Sequence, residues 1–175
     1  MVFLDESGFL LQPLRRRVWA ARGHTPVQHA WDRHDRITAI AALSRAPWAS
    51  RLSLYYDLWH HNTHAPDVVC FLQHVHHHLR RPLLLVCDRL SAHRSAARQL
   101  RESGCNWLRV EWLPGYAPEL DPVENIWSQS KYGDLANCIP EDISQLHDTL
   151  DQLLQTYRDD PQRLHSFFQA AHLTV

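Results

Sequence analysis

Leu113 to Trp127 read LPGYAPELDPVENIW, and this stretch decides how the rest of the chain is organised. Pro114, Pro118 and Pro122 each lack an amide donor, so Leu113 to Asp121 reads as extended loop, neither helix nor central strand. A helix follows. Asp121 suits the N-cap and Pro122 the first helical position, which puts Glu124 on the first turn beside the positive end of the helix dipole. The plainest reading is a capping box in which Asp121 and Glu124 only hold the helix start. The functional reading needs partner acids from elsewhere, and Asp5 and Asp88 are the candidates.

Both candidates close apolar runs. Val2 to Asp5 reads as a strand that carries an acid near its end and turns at Gly8. Leu83 to Cys87, LLLVC, is a continuous apolar run of the kind buried in a sheet, and it delivers Asp88 at its C-terminal end. Between them, Arg15-Arg16-Arg17 precede VWAARG, a further strand candidate turning at Gly23, after which Thr25-Pro26-Val27 resumes extended chain. The three arginines fit a solvated edge or a phosphate contact equally well. RITAIAALS (36–44) and RLSLYY (51–56) are strand candidates parted by a turn at Pro47. Val68, Phe71, Leu72, Val75 and Leu79 keep helical spacing, so 63–81 forms an amphipathic helix opened near Pro66 and closed before Pro82. His74 and His78 lie one turn apart on its more polar side, but a structural zinc there lacks a third ligand at compatible spacing. Ser91 is expected to cap a helix through Glu102, stopped by Gly104, with Arg94, Arg98 and Arg101 on one side. Asn106 to Trp112 is a strand; helices are expected from Pro122 to about Asn137, near 141–157 and over 161–172. The order is three antiparallel strands, helix, strand, helix, strand, then helices.

Composition sets bounds. At 175 residues, 45% hydrophobic and 21% charged, the chain is long enough for one sizeable core, and no apolar run approaches the length that crosses a bilayer. Met1 leads straight into VFLDES, without the basic start and apolar stretch of a signal peptide. Cys70, Cys87, Cys105 and Cys138 are widely spaced, which points to reduced thiols in a cytosol. The net charge of −1 hides an asymmetry: residues 1–118 carry 15 Lys/Arg against 9 Asp/Glu, and residues 119–175 carry 3 against 10. A basic body with an acidic tail fits a phosphate backbone bound on one face. All basic residues but Lys131 are Arg, which makes forked contacts to phosphate.

Two aspartates at ends of different strands and a glutamate at a helix start converge if those strands are neighbours. Like charges in one pocket raise one another's pKa, and a hard divalent cation with oxygen ligands relieves them. Mg²⁺ is the expected occupant, and two ions could hold the attacking and leaving oxygens of a phosphoryl displacement.

Asp5 in FLDESG, Trp19, Gly23 and Pro26 in VWAARGHTP, Asp88 with His93 in CDRLSAH, and LPGYAPELDPVENIW followed by Lys131 resemble the catalytic domain of mariner-type DDE transposases in their bacterial insertion-sequence branch. The resemblance covers about residues 2–131, and the 35 residues between Asp88 and Glu124 are similar to the family's spacing. It implies an α/β chain with a ribonuclease-H-like fold, a mixed central sheet with helices on both faces. Residues 1–175 would form a single catalytic domain with a helical extension from about 138. The implied function is metal-dependent DNA cleavage and strand transfer during transposition. Asp5, Asp88 and Glu124 become the catalytic acids and ligands of Mg²⁺ or Mn²⁺, two ions in all. His93 matches a position that would orient substrate or a metal-bound water, with a cap or surface histidine as the plainer alternative. Trp127 is read as a core anchor of its helix.

Three features depart from the family. Arg89 stands where Asn often follows the second acid and could reach a phosphate. Asp121 replaces a usual Asn, and as a simple cap it should accept Asn within about 0.5 kcal/mol. Only four residues precede Asp5, so the family's N-terminal helix-turn-helix region is expected to be absent and supplied by a partner or fusion. The implied partners are DNA, as transposon ends and target, and a second copy of the chain when active, in a bacterial cytoplasm at the nucleoid, with no membrane. A noncatalytic DNA-binding or regulatory remnant and a general ribonuclease-H-like nuclease are the alternatives.

Overall fold

A computed structural model describes residues 1–12, 14–24, 26–27, 35–46 and 51–173. Five strands, β1 (Val2–Leu10), β2 (Arg36–Arg45), β3 (Leu52–Trp59), β4 (Leu83–Cys87) and β5 (Leu108–Trp112), form one mixed sheet in the order β3-β2-β1-β4-β5. The first three are antiparallel neighbours, and β4 and β5 run parallel to β1. Five helices cover it: α1 (Ala65–Leu79), α2 (Ser91–Glu102), α3 (Pro122–Gln129), α4 (Ile143–Arg158) and α5 (Pro161–Ala170). None of the described helices is long and apolar enough to cross a membrane.

The central strand, β1, feeds both faces because its side chains alternate. Phe3 and Phe9 join the face packed by α3, α4 and α5, where Trp127, Tyr157 and Phe168 are buried. Val2 and Leu4 join the other face, against Phe71, Leu72 and Val75 of α1 and Ala96 and Leu100 of α2. Burying a leucine as fully as Leu150 or Leu154 contributes about 1.5–3 kcal/mol.

Local chemistry fixes the helix ends. The backbone N–H of His64 donates to Asp67 Oδ2 (2.8 Å) and Pro66 opens α1, while Arg80 closes it at φ 51°. Asp142 accepts from the Gln145 N–H (2.8 Å) and Asp160 from the Arg163 N–H (3.0 Å). Part of the acidic C-terminal charge is therefore capping charge, placed at positive helix ends.

Several expectations need correction. β1 does not turn at Gly8, which pairs with Thr38; the ten-residue β2 keeps β1 extended to Leu10. VWAARG is not a strand. Residues 14–20 are exposed and irregular, although the turn at Gly23 (φ 85°) is present. Instead of a sheet, this segment finds the loop after α3: the Arg16 N–H donates to Asn137 Oδ1 (2.8 Å) and the Asn137 N–H to the Leu14 carbonyl (3.0 Å). Arg16 also donates to the Tyr132 carbonyl, which ties it to protein. Thr25 and Pro47 lie outside the described residues. Ser91 is the first residue of α2, after an N-cap at Leu90. The helix from Pro122 passes at Ser130 into a short π-helical turn, Ser130–Asp134.

Candidate active site

β1 and β4 pair in parallel with Val2 beside Leu85, Phe3 beside Val86 and Leu4 beside Cys87. One step further, that register sets Asp5 next to Asp88. The loop after β5 then returns across the same sheet end. Asp121 caps α3 by accepting the Val123 N–H (2.9 Å), and Glu124 follows on the first turn. The reciprocal half of a capping box is not used, because the Asp121 N–H donates to the Pro118 carbonyl (3.0 Å). The Glu124 carboxylate therefore has no capping duty.

The carboxylates feel one another. Burial pushes Asp5 well above the usual carboxylate range, with Asp121, Glu124 and Glu6 adding repulsion in that order. Burial also raises Glu124; Asp88 adds to the rise and Lys131 opposes it. Asp121, 3% exposed, is pushed up to about 7, chiefly by burial, although its bond from Val123 opposes the rise. Asp88 is lowered, first by its hydrogen bond from His93.

The alternation along β1 explains how the cluster is held. On the α3 side, Trp127 donates Nε1–H to Asp5 Oδ2 (3.0 Å) and Lys131 donates Nζ–H to Ser7 Oγ (2.7 Å). On the α2 side, Glu6 meets His93, whose side chain is 1% exposed. Burial acts to lower the His93 pKa, but its bonds to Asp88 and Glu6 overcome this and raise it to about 10. His93 is thus an imidazolium that donates Nδ1–H to Asp88 Oδ1 (2.6 Å) and Nε2–H to Glu6 Oε2.

Asp5, Asp88 and Glu124 are thus brought to one sheet end, and His93 is neither a cap nor a surface residue. Trp127 is a core anchor, edge-on to Phe9, and also an acid's hydrogen-bond donor. Arg89 is exposed and makes no ion pair with Asp88 among the described residues. Glu6 was not singled out from the sequence; period-two alternation, which sends it to the face opposite Asp5, was the available signal. The histidines at 74–78 form no metal-binding group among the described residues: His74 Nε2 lies 3.9 Å from Cys70 Sγ, and His78 stacks on Tyr55.

The donor set suits a hard divalent cation. All the converging groups offer carboxylate oxygen, the chemistry of Mg²⁺ or Mn²⁺ sites, and Asp5 is raised first by burial and then by its acidic neighbours. Glu6 Oε1 is buried without a hydrogen-bond partner among the described residues, so the cluster holds more oxygen donors than the protein's own hydrogens satisfy.

The Trp127 bond can be tested alone. Trp127→Phe keeps an aromatic ring against Phe9 but leaves Asp5 Oδ2 without its donor, and should cost about 1–3 kcal/mol in urea unfolding. Unchanged stability would mean that this bond contributes nothing.

Residues 1–147 match the DDE superfamily endonuclease family, and the chain belongs to that family. The protein is similar in fold to the mariner Mos1 paired-end complex with Mn (TM-score 0.69, 17% identity, 98% of this chain and 51% of that one). It is also similar to the Mos1 strand transfer complex (TM-score 0.66, 17% identity, 98% and 50%) and the Mos1 paired-end complex with Mg (TM-score 0.61, 17% identity, 98% and 53%). The architecture is the expected ribonuclease-H-like one, a mixed sheet with helices on both faces. The chain spans about half the length of these solved chains. No curated protein sequence matches it.

Proposed function

We propose that this chain is the catalytic domain of a DNA transposase, one domain over 1–175, in which Asp5, Asp88 and Glu124 are the catalytic acids. The observation that carries this reading is the β1–β4 register, which ends with Leu4 beside Cys87 and so puts Asp5 and Asp88 at one sheet end, with Glu124 near enough to raise the Asp5 pKa. The three carboxylates would hold Mg²⁺ or Mn²⁺, as two ions. Bound there, the divalent cation supplies a Lewis acid for phosphoryl displacement on DNA by water or a 3′-hydroxyl.

The protein's own residues prepare the site. His93 fixes Asp88 Oδ1 and keeps Asp88 ionised, leaving Oδ2 as its free oxygen. Trp127 fixes Asp5 Oδ2. Asp88, with a half-exposed side chain, forms the open lip, and an open groove of about 350 Å³ beside Glu124, lined in part by Ser7, Asn125 and Lys131, gives DNA an approach. The substrates are transposon ends and target DNA. A helix-turn-helix module, fused or separate, supplies end recognition, the active form is a homodimer, and the setting is a bacterial cytoplasm at the nucleoid. The Mos1 strand transfer complex and the Mos1 paired-end complexes with Mn and Mg support this assignment by likeness of fold.

The test combines binding and chemistry. Millimolar Mn²⁺ should raise the melting temperature, because the ion binds only the native site, with about 2.7 kcal/mol gained at a hundredfold excess over Kd. Asp88→Asn should lose that gain. With its DNA-binding module, the parent should nick a transposon-end duplex only when Mg²⁺ or Mn²⁺ is present. A melting temperature indifferent to Mn²⁺, with no nicking, would replace the catalytic reading with that of a noncatalytic remnant.

A further inference from the structure

We infer that the groove between α2 and the edge strand β5 is a DNA-backbone site, taking the phosphodiesters of one strand on its way to the acids. This rests on the proposed function and adds a location. The groove, about 670 Å³, has an apolar floor that includes Leu108, Val110 and Trp112, and its rim carries Arg89, Arg94, Arg98 and Arg101. No acid lines it.

Three further observations point to a phosphate ligand. Arg94, Arg98 and Arg101 recur at helical spacing, so one side of α2 presents all three. None of the four arginines makes an ion pair or side-chain hydrogen bond among the described residues, although Glu102 stands one turn from Arg98. Three described arginines elsewhere do have acid partners: Arg109 pairs with Glu111 at 2.7 Å on the opposite side of β5, Arg158 lies 3.6 Å from Asp159 and Arg163 lies 3.6 Å from Asp134. The row on α2 has no such partner and faces a groove without an acid.

The groove also leads to the site. Trp112 pairs with Cys87, the residue before Asp88, and Arg89 follows Asp88 directly. The row therefore ends where the acids begin. Arg94 to Arg101 spans about 10 Å of helix, the axial length of about three nucleotides of one strand. Planar guanidiniums above an apolar floor suit phosphate oxygens outside and sugar faces within.

The experiment compares two substituted chains for binding to a 30-base-pair duplex of unrelated sequence, across a salt series, with melting temperatures to confirm folding. Arg94→Gln/Arg98→Gln/Arg101→Gln should lower the slope of log affinity against log salt by about 2.7, since each lost phosphate contact removes about 0.9. It should retain the parent's thermal response to Mn²⁺. Arg158→Gln/Arg163→Gln, which removes acid-paired arginines, should keep the parent slope. An unchanged slope in the triple variant, or equal losses in both variants, overturns the groove while the catalytic reading stands on its Mn²⁺ response. A parent that binds no DNA also overturns the groove, while the catalytic reading is still decided by its Mn²⁺ response and by nicking with the DNA-binding module. Tighter, arginine-dependent binding of an RNA duplex of the same length would assign the groove to RNA and also overturn the proposal.

Discussion

Glu124→Gln is expected to fold normally and to lose about a thousandfold in metal-dependent strand cleavage. The fold should tolerate it because the Glu124 side chain has no reciprocal cap to lose, the Asp121 N–H already being taken by Pro118. The lost charge at the helix start costs about 0.3–1 kcal/mol, and relief from the repulsion by Asp88 offsets part of it. Cleavage is different. A neutral amide is a weak ligand for a hard cation, and losing roughly 4 kcal/mol of transition-state charge stabilisation corresponds to about three powers of ten in rate. The assay is nicking of a transposon-end duplex, with circular dichroism as the folding control. Normal cleavage by Glu124→Gln, combined with a dead Asp121→Asn, would make Asp121 the third acid.

Asp121→Asn should instead make the metal-free protein more stable above pH 7, by roughly 2–4 kcal/mol, while leaving most cleavage intact. From sequence the exchange looked neutral; burial changes the expectation. Asn keeps the bond from Val123, so the cap survives. The parent's Asp121 ionises near pH 7 when folded and near 3.8 when unfolded. Between those values the folded chain binds the extra proton at Asp121, so this group's contribution to parent stability falls as pH rises from about 4 to 7 and then levels off. The Asn variant lacks this contribution to the decline. Urea unfolding at pH 5 and pH 8 measures it, and equal stabilities of parent and variant at pH 8 would rule out the buried charge as a cost.

The acids were legible because their carriers have strong local signatures. LLLVC ending in Asp88 reads as a strand from hydrophobicity alone, and Asp121-Pro122 marks a helix start through cap and ring chemistry. The neighbouring placement of β1 and β4 was carried by the resemblance, since nothing local in either strand names its partner. VWAARG misled for the complementary reason: its apolar residues suit a strand, but the backbone of 14–16 is claimed by Asn137, far along the chain. The Glu6–His93 contact was hidden in the same way, as a pairing across 87 residues between a strand and a helix. Asp121 was visible as a cap, but its coupling to Asp5 depends on burial that no sequence window reports.

The position of β1 in the sheet sets an order for assembly during synthesis. β1, β2 and β3 emerge first and can pair through nearby contacts, but the other edge of β1 waits for β4, more than seventy residues downstream. In that interval the nascent chain offers a free edge flanked by Val2 and Leu4, which invites pairing with another chain. Closing it also requires a long-range parallel contact, the slow kind in folding. A ribosome stalled before Leu83 would therefore hold a sticky three-stranded intermediate with Asp5 already placed on β1. When β4 arrives, one event removes that hazard and brings Asp88 alongside Asp5.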